Sequence, residues 1–379
     1  MKKASIVLLA FLFACTKKND LPYDDQGHVQ KKEPESCNFG ITQFNTTLRQ
    51  AKVNGRKPST GSNTATGGAV NYLDFDGHLV SNTSWNLNGD FVCEPANLTT
   101  EEMQRIFDRV AEDYRPFNVV VTADEAVYNA ANPYKRMRVV ITETWQWYGQ
   151  AGGVSFAGSF TWGDNTPCFV FSSLLGYNEK KIAEASSHEV GHTLGLRHQS
   201  VFSESCGYIT EYNAGAGTGE ISWAPIMGNS YSRNVTTWHR GTSSAGCNAI
   251  QDDVATIANI LGYIPDDHSN TSNGSTALSS TAEGIINNID DVDFFSVNIN
   301  STKTLTVLPF SLGSNVGANM HLMIKIYSGR SLIATIYNPA ALHVQTTLAS
   351  GKYLVSVETT GNEYTDRYGM MGKYTIMLE

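Results

Sequence analysis

The sequence predicts a multidomain chain, a mixed α/β domain followed by an all-β sandwich. Two patterns carry this reading. Strand-like runs and helical apolar stripes alternate over residues 69–265, whereas residues 276–379 hold only short alternating strands separated by turns. Composition agrees. Charged residues are 17% of the chain, against roughly 25% in typical soluble domains, and 33 Gly stand among many Ser, Thr and Asn. Such a chain favours strands and tight turns over long exposed helices.

The first domain opens with a strand at residues 69–75. Thr99 fits a helix N-cap, and Glu102 three residues later completes a capping box. Met103, Ile106, Phe107, Val110, Ala111, Tyr114 and Phe117 then recur at helical spacing, which predicts one helix with a continuous apolar stripe. Residues 118–122 and 138–144 read as strands, the second rich in β-branched side chains. Residues 153–160 predict a Gly-containing strand and 168–173 a short apolar one. Helices are expected over 179–194 and 248–261. A turn-rich linker, 266–275, separates this domain from the sandwich. There Leu322, Ile324 and Ile326 alternate, as do Tyr353, Val355 and Val357.

With 27 basic and 36 acidic residues the formal charge is −9, so no basic footprint for nucleic acid exists. Met1-Lys2-Lys3 precedes an apolar run, residues 6–14, far short of the roughly 20 residues that span a bilayer. Residues 1–14 therefore read as an export signal. The ending Leu12-Phe13-Ala14-Cys15 resembles the lipobox of bacterial lipoproteins, which implies lipidation at Cys15. An ordinary secretory signal with an incidental Cys is the alternative. The expected location is the bacterial cell envelope, lipid-anchored, or the extracellular space. Residues 15–68 are polar, with 52–68 rich in Gly, Ser, Thr and Asn, and read as a tether or pro-segment.

The densest chemistry lies in His188-Glu189-Val190-Gly191-His192-Thr193-Leu194-Gly195-Leu196-Arg197-His198. On a helix, His188 and His192 at i and i+4 project from one face. Gly195 can take positive φ, end the helix and return the chain, bringing His198 to the same point. Three imidazoles with an open fourth position suit catalytic Zn²⁺. Glu189, offset by about 100° on the helix, is placed as general base rather than ligand.

This stretch resembles the zinc motif of the metzincin metalloproteases. Ala224-Pro225-Ile226-Met227-Gly228 resembles their Met-turn, which implies Met227 as a soft floor beneath the metal. Leu73-Asp74-Phe75-Asp76-Gly77-His78, Glu112-Asp113-Tyr114-Arg115-Pro116-Phe117, Trp223, Trp238 and Gln251-Asp252-Asp253 extend the likeness to exported bacterial metzincins over about residues 69–265. Two positions depart from the pattern. Gln199 follows the third His, and Asn229 stands where some metzincins carry a Tyr. Tyr231 is therefore considered as an oxyanion donor, with a structural Tyr as the alternative. The resemblance implies a twisted mixed sheet with an active-site helix, a zinc metalloendopeptidase, and an extended protein or peptide substrate against the strand at 153–160. It places the main specificity wall at residues 228–238.

With Cys15 lipidated, five Cys remain. Cys206 and Cys247 bracket the Met-turn and can pair; Cys93 and Cys168 are a second candidate pair. Cys37 is then left over, either a thiolate switch that caps the zinc, as in matrixin pro-segments, or a free or otherwise paired thiol. The C-terminal region resembles the pre-peptidase C-terminal domain of exported bacterial proteases at Asp290-Asp291-Val292-Asp293-Phe294-Phe295. These carboxylates read as a solvated turn or as a Ca²⁺ site, and Asp74 with Asp76 read the same way. The chain is expected to be monomeric, with a lipid anchor as its one membrane attachment. A different class remains open, a non-catalytic adhesin or glycan-binding lipoprotein with a vestigial zinc site. The intact Glu189 argues against it.

Overall fold

The computed structural model describes residues 34–37, 68–313 and 317–379. The signal segment and Cys15 lie outside the described residues. In chain order the strands of the first half are β1 (Glu35–Cys37), β2 (Ala69–Asp74), β3 (His78–Val80), β4 (Phe91–Cys93), β5 (Val119–Thr122), β6 (Arg136–Thr142), β7 (Gly153–Ser155) and β8 (Cys168–Phe171). Short pairs follow: β9 (Val201–Phe202) with β10 (Tyr208–Thr210), β11 (Trp223–Pro225) with β12 (Val235–Thr237), and β13 (Arg240–Thr242) with β14 (Ile250–Asp252). The helices are α1 (Thr100–Asp113), α2 (Glu125–Ala130), α3 (Glu179–Thr193) and α4 (Asp253–Leu261).

A six-stranded sheet of order β1-β7-β8-β6-β2-β5 organises this half. β5, β2, β6 and β8 are parallel, whereas β7 and β1 each run antiparallel to their neighbour. The central strands are buried on both faces, which is why β6 and β8 read as nearly continuous apolar runs. On one face α1 and α3 close a core that includes Ile106, Val110, Tyr114, Ile182 and Val190. The other face carries an aromatic layer of Trp85, Phe156, Phe169 and Phe171.

Local chemistry explains where elements start and stop. Thr99 caps α1, accepting from Glu102 N while its own N–H donates to the Glu102 carboxylate at 2.8 Å. The expected strand over 153–160 stops at Ser155, because Gly158 takes φ 78° and a 3₁₀ turn, Ser159–Thr161, follows. The expected helix over 248–261 begins only at Asp253. Asp252 caps it, accepting from Ala255 N, and the residues before it pair with β13 instead. Asp74 is not in a solvated turn. It is buried, and Arg138 donates to it at 2.5 Å.

After a 3₁₀ turn at Ser272–Gly274 come β15 (Thr276–Leu278), β16 (Thr281–Ile286), β17 (Asp293–Ile299), β18 (Lys303–Pro309), β19 (Leu322–Ser328), β20 (Ser331–Tyr337), β21 (Val344–Leu348), β22 (Gly351–Thr359) and β23 (Gly372–Leu378). They form a five-stranded sheet, β15-β17-β22-β19-β20, and a four-stranded sheet, β16-β23-β18-β21. Alternate residues of β17 and β23 point inward to a shared core with Phe295, Leu305, Ile324, Val355 and Ile376. The first half is thus mixed α/β and the second all-β.

Candidate metal centre and substrate edge

Asn178 starts α3 by accepting from Lys181 N. Ten residues further along the chain, one helix face presents His188 and His192, with ring centroids 4.7 Å apart. Leu194 ends the helix and Gly195 takes φ 97°, so the chain folds back. His198 then sets its ring edge-on to His192 at 4.8 Å and tilted to His188 at 5.2 Å. All three histidines are buried.

The imidazoles are oriented from behind. Each Nδ1 faces an acceptor: the Ile226 carbonyl at 2.8 Å for His188, the Leu196 carbonyl at 2.8 Å for His192, and Glu211 Oε1 at 2.7 Å for His198. A carbonyl or carboxylate only accepts, so the protons sit on Nδ1 and the Nε2 atoms carry lone pairs. Those of His192 and His198 face each other at 3.1 Å, and one ligand atom from each of the three residues lies within 4.8 Å of the others. Lone pairs gathered in a buried space fit a cation, and an imidazole held by a carboxylate or carbonyl is the usual support of a metal ligand. Burial, with the neighbouring His198, holds His188 down at about 3, and burial with both other imidazoles holds His192 well below its usual value. The hydrogen bond from His198 holds the Glu211 carboxyl below its usual range.

Glu189 is fully buried beside this group. Ser155 Oγ donates to its Oε2 at 2.6 Å, while Oε1 has no hydrogen-bond partner among the described residues. Burial pushes its carboxyl well above the usual range; the Ser155 bond opposes this and Glu35 adds to it. The side chain lies against Gly153, where a Cβ would stand 2.7 Å from Glu189 Cγ. Glu189 is therefore held by two residues of β7.

Met227 is buried beneath α3, its Sδ 2.6 Å from where a Gly191 Cβ would stand. The Met227 carbonyl accepts from Gln199 N at 2.8 Å, and Gln199 Nε2 donates to Asp253 at 3.0 Å. Gln199 thus ties the third-His segment to the Met227 turn and to α4. Tyr231 is not at the centre. It packs in the core, with the Lys181 ammonium 6.0 Å from its ring in the first turn of α3, seven residues before His188. The tyrosine beside the imidazoles is Tyr212, its ring 4.4 Å from His198 and 6.4 Å from His188.

Ser155, Glu211 and Tyr212 escaped the sequence reading. Glu211 and Tyr212 sit in a polar stretch without periodicity. Ser155 had a signal, since positions 153 and 155 of a strand share a face.

Cys206 and Cys247 form a disulfide that ties the β9–β10 hairpin, just before Glu211, to the segment ahead of β14. Cys93 and Cys168 do not pair; both are free and buried. Cys93 ends β4 opposite His78, whereas Cys168 lies in the central sheet with its thiol donating to the Arg138 carbonyl at 3.7 Å. Burial pushes the Cys93 thiol up to about 12 and that of Cys168 well above its usual value. Cys37 closes β1 opposite Gly153, and its side chain falls outside the described residues.

A second cluster lies at the sandwich, where Asp266, Asp291 and Asp293 bring carboxylate oxygens within 4.8 Å of one another. Asp291 and Asp293 are buried, so this is not a solvated turn.

A buried carboxylate next in sequence to one of three clustered imidazoles, on a helix-and-turn frame, fits a metal-dependent hydrolase. Residues 96–237 match the family described as "Dual-action HEIGH metallo-peptidase". This chain reads His188-Glu189-Val190-Gly191-His192, with Val where that description has Ile. The match covers less than half of the chain and supports a zinc metallopeptidase in general terms. Among curated proteins none matches the sequence. Solved structures similar to it include the pre-peptidase C-terminal domain of collagenase from Bacillus anthracis, at 16% identity, covering 31% of this chain and 98% of that one, with a TM-score of 0.21. The periplasmic lysozyme inhibitor PliG of Aeromonas hydrophila gives 14% identity, 28% and 96% coverage, and a TM-score of 0.18. OgpA from Akkermansia muciniphila gives 11% identity, 86% and 96% coverage, and a TM-score of 0.19. These low scores establish no shared fold.

Proposed function

We propose that this protein is a metzincin-type zinc metalloendopeptidase that takes an extended peptide along β7 and hydrolyses it with Glu189 as base and then acid. The observation that carries the reading is the Glu189 carboxylate, buried next in sequence to His188 and bonded to Ser155 of β7. His188, His192 and His198 would hold the zinc, which would supply Lewis acidity at the site. Met227 floors the site. Glu189 accepts the proton of the attacking water, and the same carboxyl delivers it to the leaving amine. Backbone pairing to an edge strand fixes substrate direction without reading side chains, so selectivity resides in pockets around residues 228–238.

Lipidation at Cys15 would hold this monomeric enzyme at the bacterial envelope. A thiolate switch at Cys37 is tested by the early activity of Cys37→Ala. Calcium at Asp266, Asp291 and Asp293 would act structurally, in the sandwich.

Glu189→Ala should keep its zinc and lose about 10²–10⁴-fold in peptidase activity. Zinc content by atomic absorption and cleavage-site profiling on a mixed peptide library, with a chelator control, measure both. Undiminished cleavage by Glu189→Ala would sink the mechanism. No cleavage by the zinc-loaded parent would favour the non-catalytic adhesin.

A further inference from the structure

The segment ahead of the folded body already lies on the substrate edge. Without β1, the six-stranded sheet would end at β7. An uncovered edge strand is where an extended peptide adds. β1 fills that place, antiparallel, with Glu35 opposite Ser155, Ser36 opposite Val154 and Cys37 opposite Gly153. Ser155 and Gly153 are the two residues that hold Glu189. The register therefore sets the Glu35–Ser36 and Ser36–Cys37 peptide bonds between the two residues that hold Glu189. From the other side, Tyr212 donates its hydroxyl to the Ser36 carbonyl at 3.0 Å, and the same ring lies 4.4 Å from His198. Of the two bonds, the Ser36 carbonyl is thus polarised by the hydroxyl of a tyrosine whose ring packs by His198 and His188, and Glu189 is bonded to the pairing strand. This is the arrangement that the hydrolytic reading asks of a substrate carbonyl.

We propose that the chain cuts itself between Ser36 and Cys37, with β1 as its first, intramolecular substrate and Tyr212 as the hydrogen-bond donor to the reacting carbonyl. The proposal rests on the zinc-peptidase reading above. Water adds across the bond: its oxygen enters a new carboxylate on Ser36, the C–N bond breaks, and Glu189 carries the proton to the Cys37 nitrogen. No other reactant is needed. The cut leaves Cys15 on the departing fragment, frees residues 37–379 from any anchor there, and clears β7 for other peptides. Tethering makes the step independent of protein concentration, since the strand is held at high effective molarity.

The test follows the zinc-loaded full chain by intact mass and N-terminal sequencing at several protein concentrations. The expected result is a product beginning at Cys37, formed at a concentration-independent rate, absent in Glu189→Ala and slowed at least about tenfold in Tyr212→Phe at unchanged zinc content. A rate that rises with concentration, a cut at another bond, or Tyr212→Phe processing at the parent rate overturns it. A parent that stays intact while it cleaves a peptide library in a chelator-sensitive way overturns self-cleavage and leaves the peptidase reading standing. A zinc-loaded parent that cleaves neither overturns both.

Discussion

At Gly153 there is no room for a side chain. A Cβ would stand 2.7 Å from Glu189 Cγ and Oε1 and 2.8 Å from the Phe169 carbonyl, so either the carboxylate or the sheet must move. Glu189 cannot retreat easily, since Ser155 holds its other oxygen. Gly153→Ala should therefore keep all three imidazoles and the zinc but misplace the base. A displacement near 1 Å costs about 100-fold in rate. Zinc content together with kcat on a peptide substrate measures it, and an unchanged kcat would contradict the contact. At this scale the sequence was readable where periodicity constrains geometry. The i, i+4 spacing and Gly195 alone put His188, His192 and His198 on one locus. Glu211, Tyr212 and Ser155 come from separate segments, and no local rule links them to α3. Tyr231 packs in the core with the Lys181 ammonium 6.0 Å from its ring, which fits the structural alternative.

Between elements, α1 and α3 are joined by a buried ionic cluster rather than by apolar packing alone. Arg109 on α1 bonds Glu184 on α3 at 3.3 Å and pairs with Asp113 at 3.4 Å. It also donates to Asn319 at 2.7 Å and to Thr236. Lys180 shares Glu184 at 2.7 Å, and Asp113 accepts from Ser187 on α3 at 2.6 Å. Two cations thus balance two anions, and Ser187 adjoins His188, so the cluster anchors the helix that carries the metal site. Arg109→Met would leave Asp113 and Glu184 buried with Lys180 alone. Breaking a buried pair from one side costs about 3–5 kcal/mol. Urea unfolding of Arg109→Met should show a loss of that size; a loss below about 1 kcal/mol would mean that water reaches the cluster. The α1 stripe and capping box announced this helix in the sequence, since both are local. The cluster was not legible, because Arg109 reads as one more polar residue until Glu184 and Asn319, 75 and 210 positions away, meet it.

Over the whole molecule, the sandwich is bonded to the catalytic half through backbone and side chains. Thr236 N donates to the Ala318 carbonyl at 3.0 Å, Lys373 N to Glu112 at 2.6 Å, and Leu342 N to Glu220 at 3.1 Å. Where the chain enters the sandwich, Asp266 meets Asp291 and Asp293, whose Oδ1 atoms are buried without hydrogen-bond partners among the described residues. Burial pushes the Asp293 carboxyl up to about 8, the Tyr374 hydroxyl opposing and the Asp291 charge adding. The sign of the pH dependence follows. Between about pH 4 and 8 the calcium-free folded protein keeps a proton that the unfolded chain releases. Stability from this group is therefore full below about pH 4 and falls by up to about 1.4 kcal/mol per pH unit as pH rises towards 8. A calcium ion would reverse the trend, because it binds the deprotonated carboxylates and stabilises the fold more as pH rises. Thermal unfolding of the zinc-loaded chain at pH 5 and pH 8 should show a calcium-induced rise in Tm that is larger at pH 8. Asp293→Asn should abolish that rise and flatten the calcium-free slope. An equal calcium response in Asp293→Asn would place the ion elsewhere; no response in the parent would leave the cluster as protonated carboxyls joining the entry segment to β17.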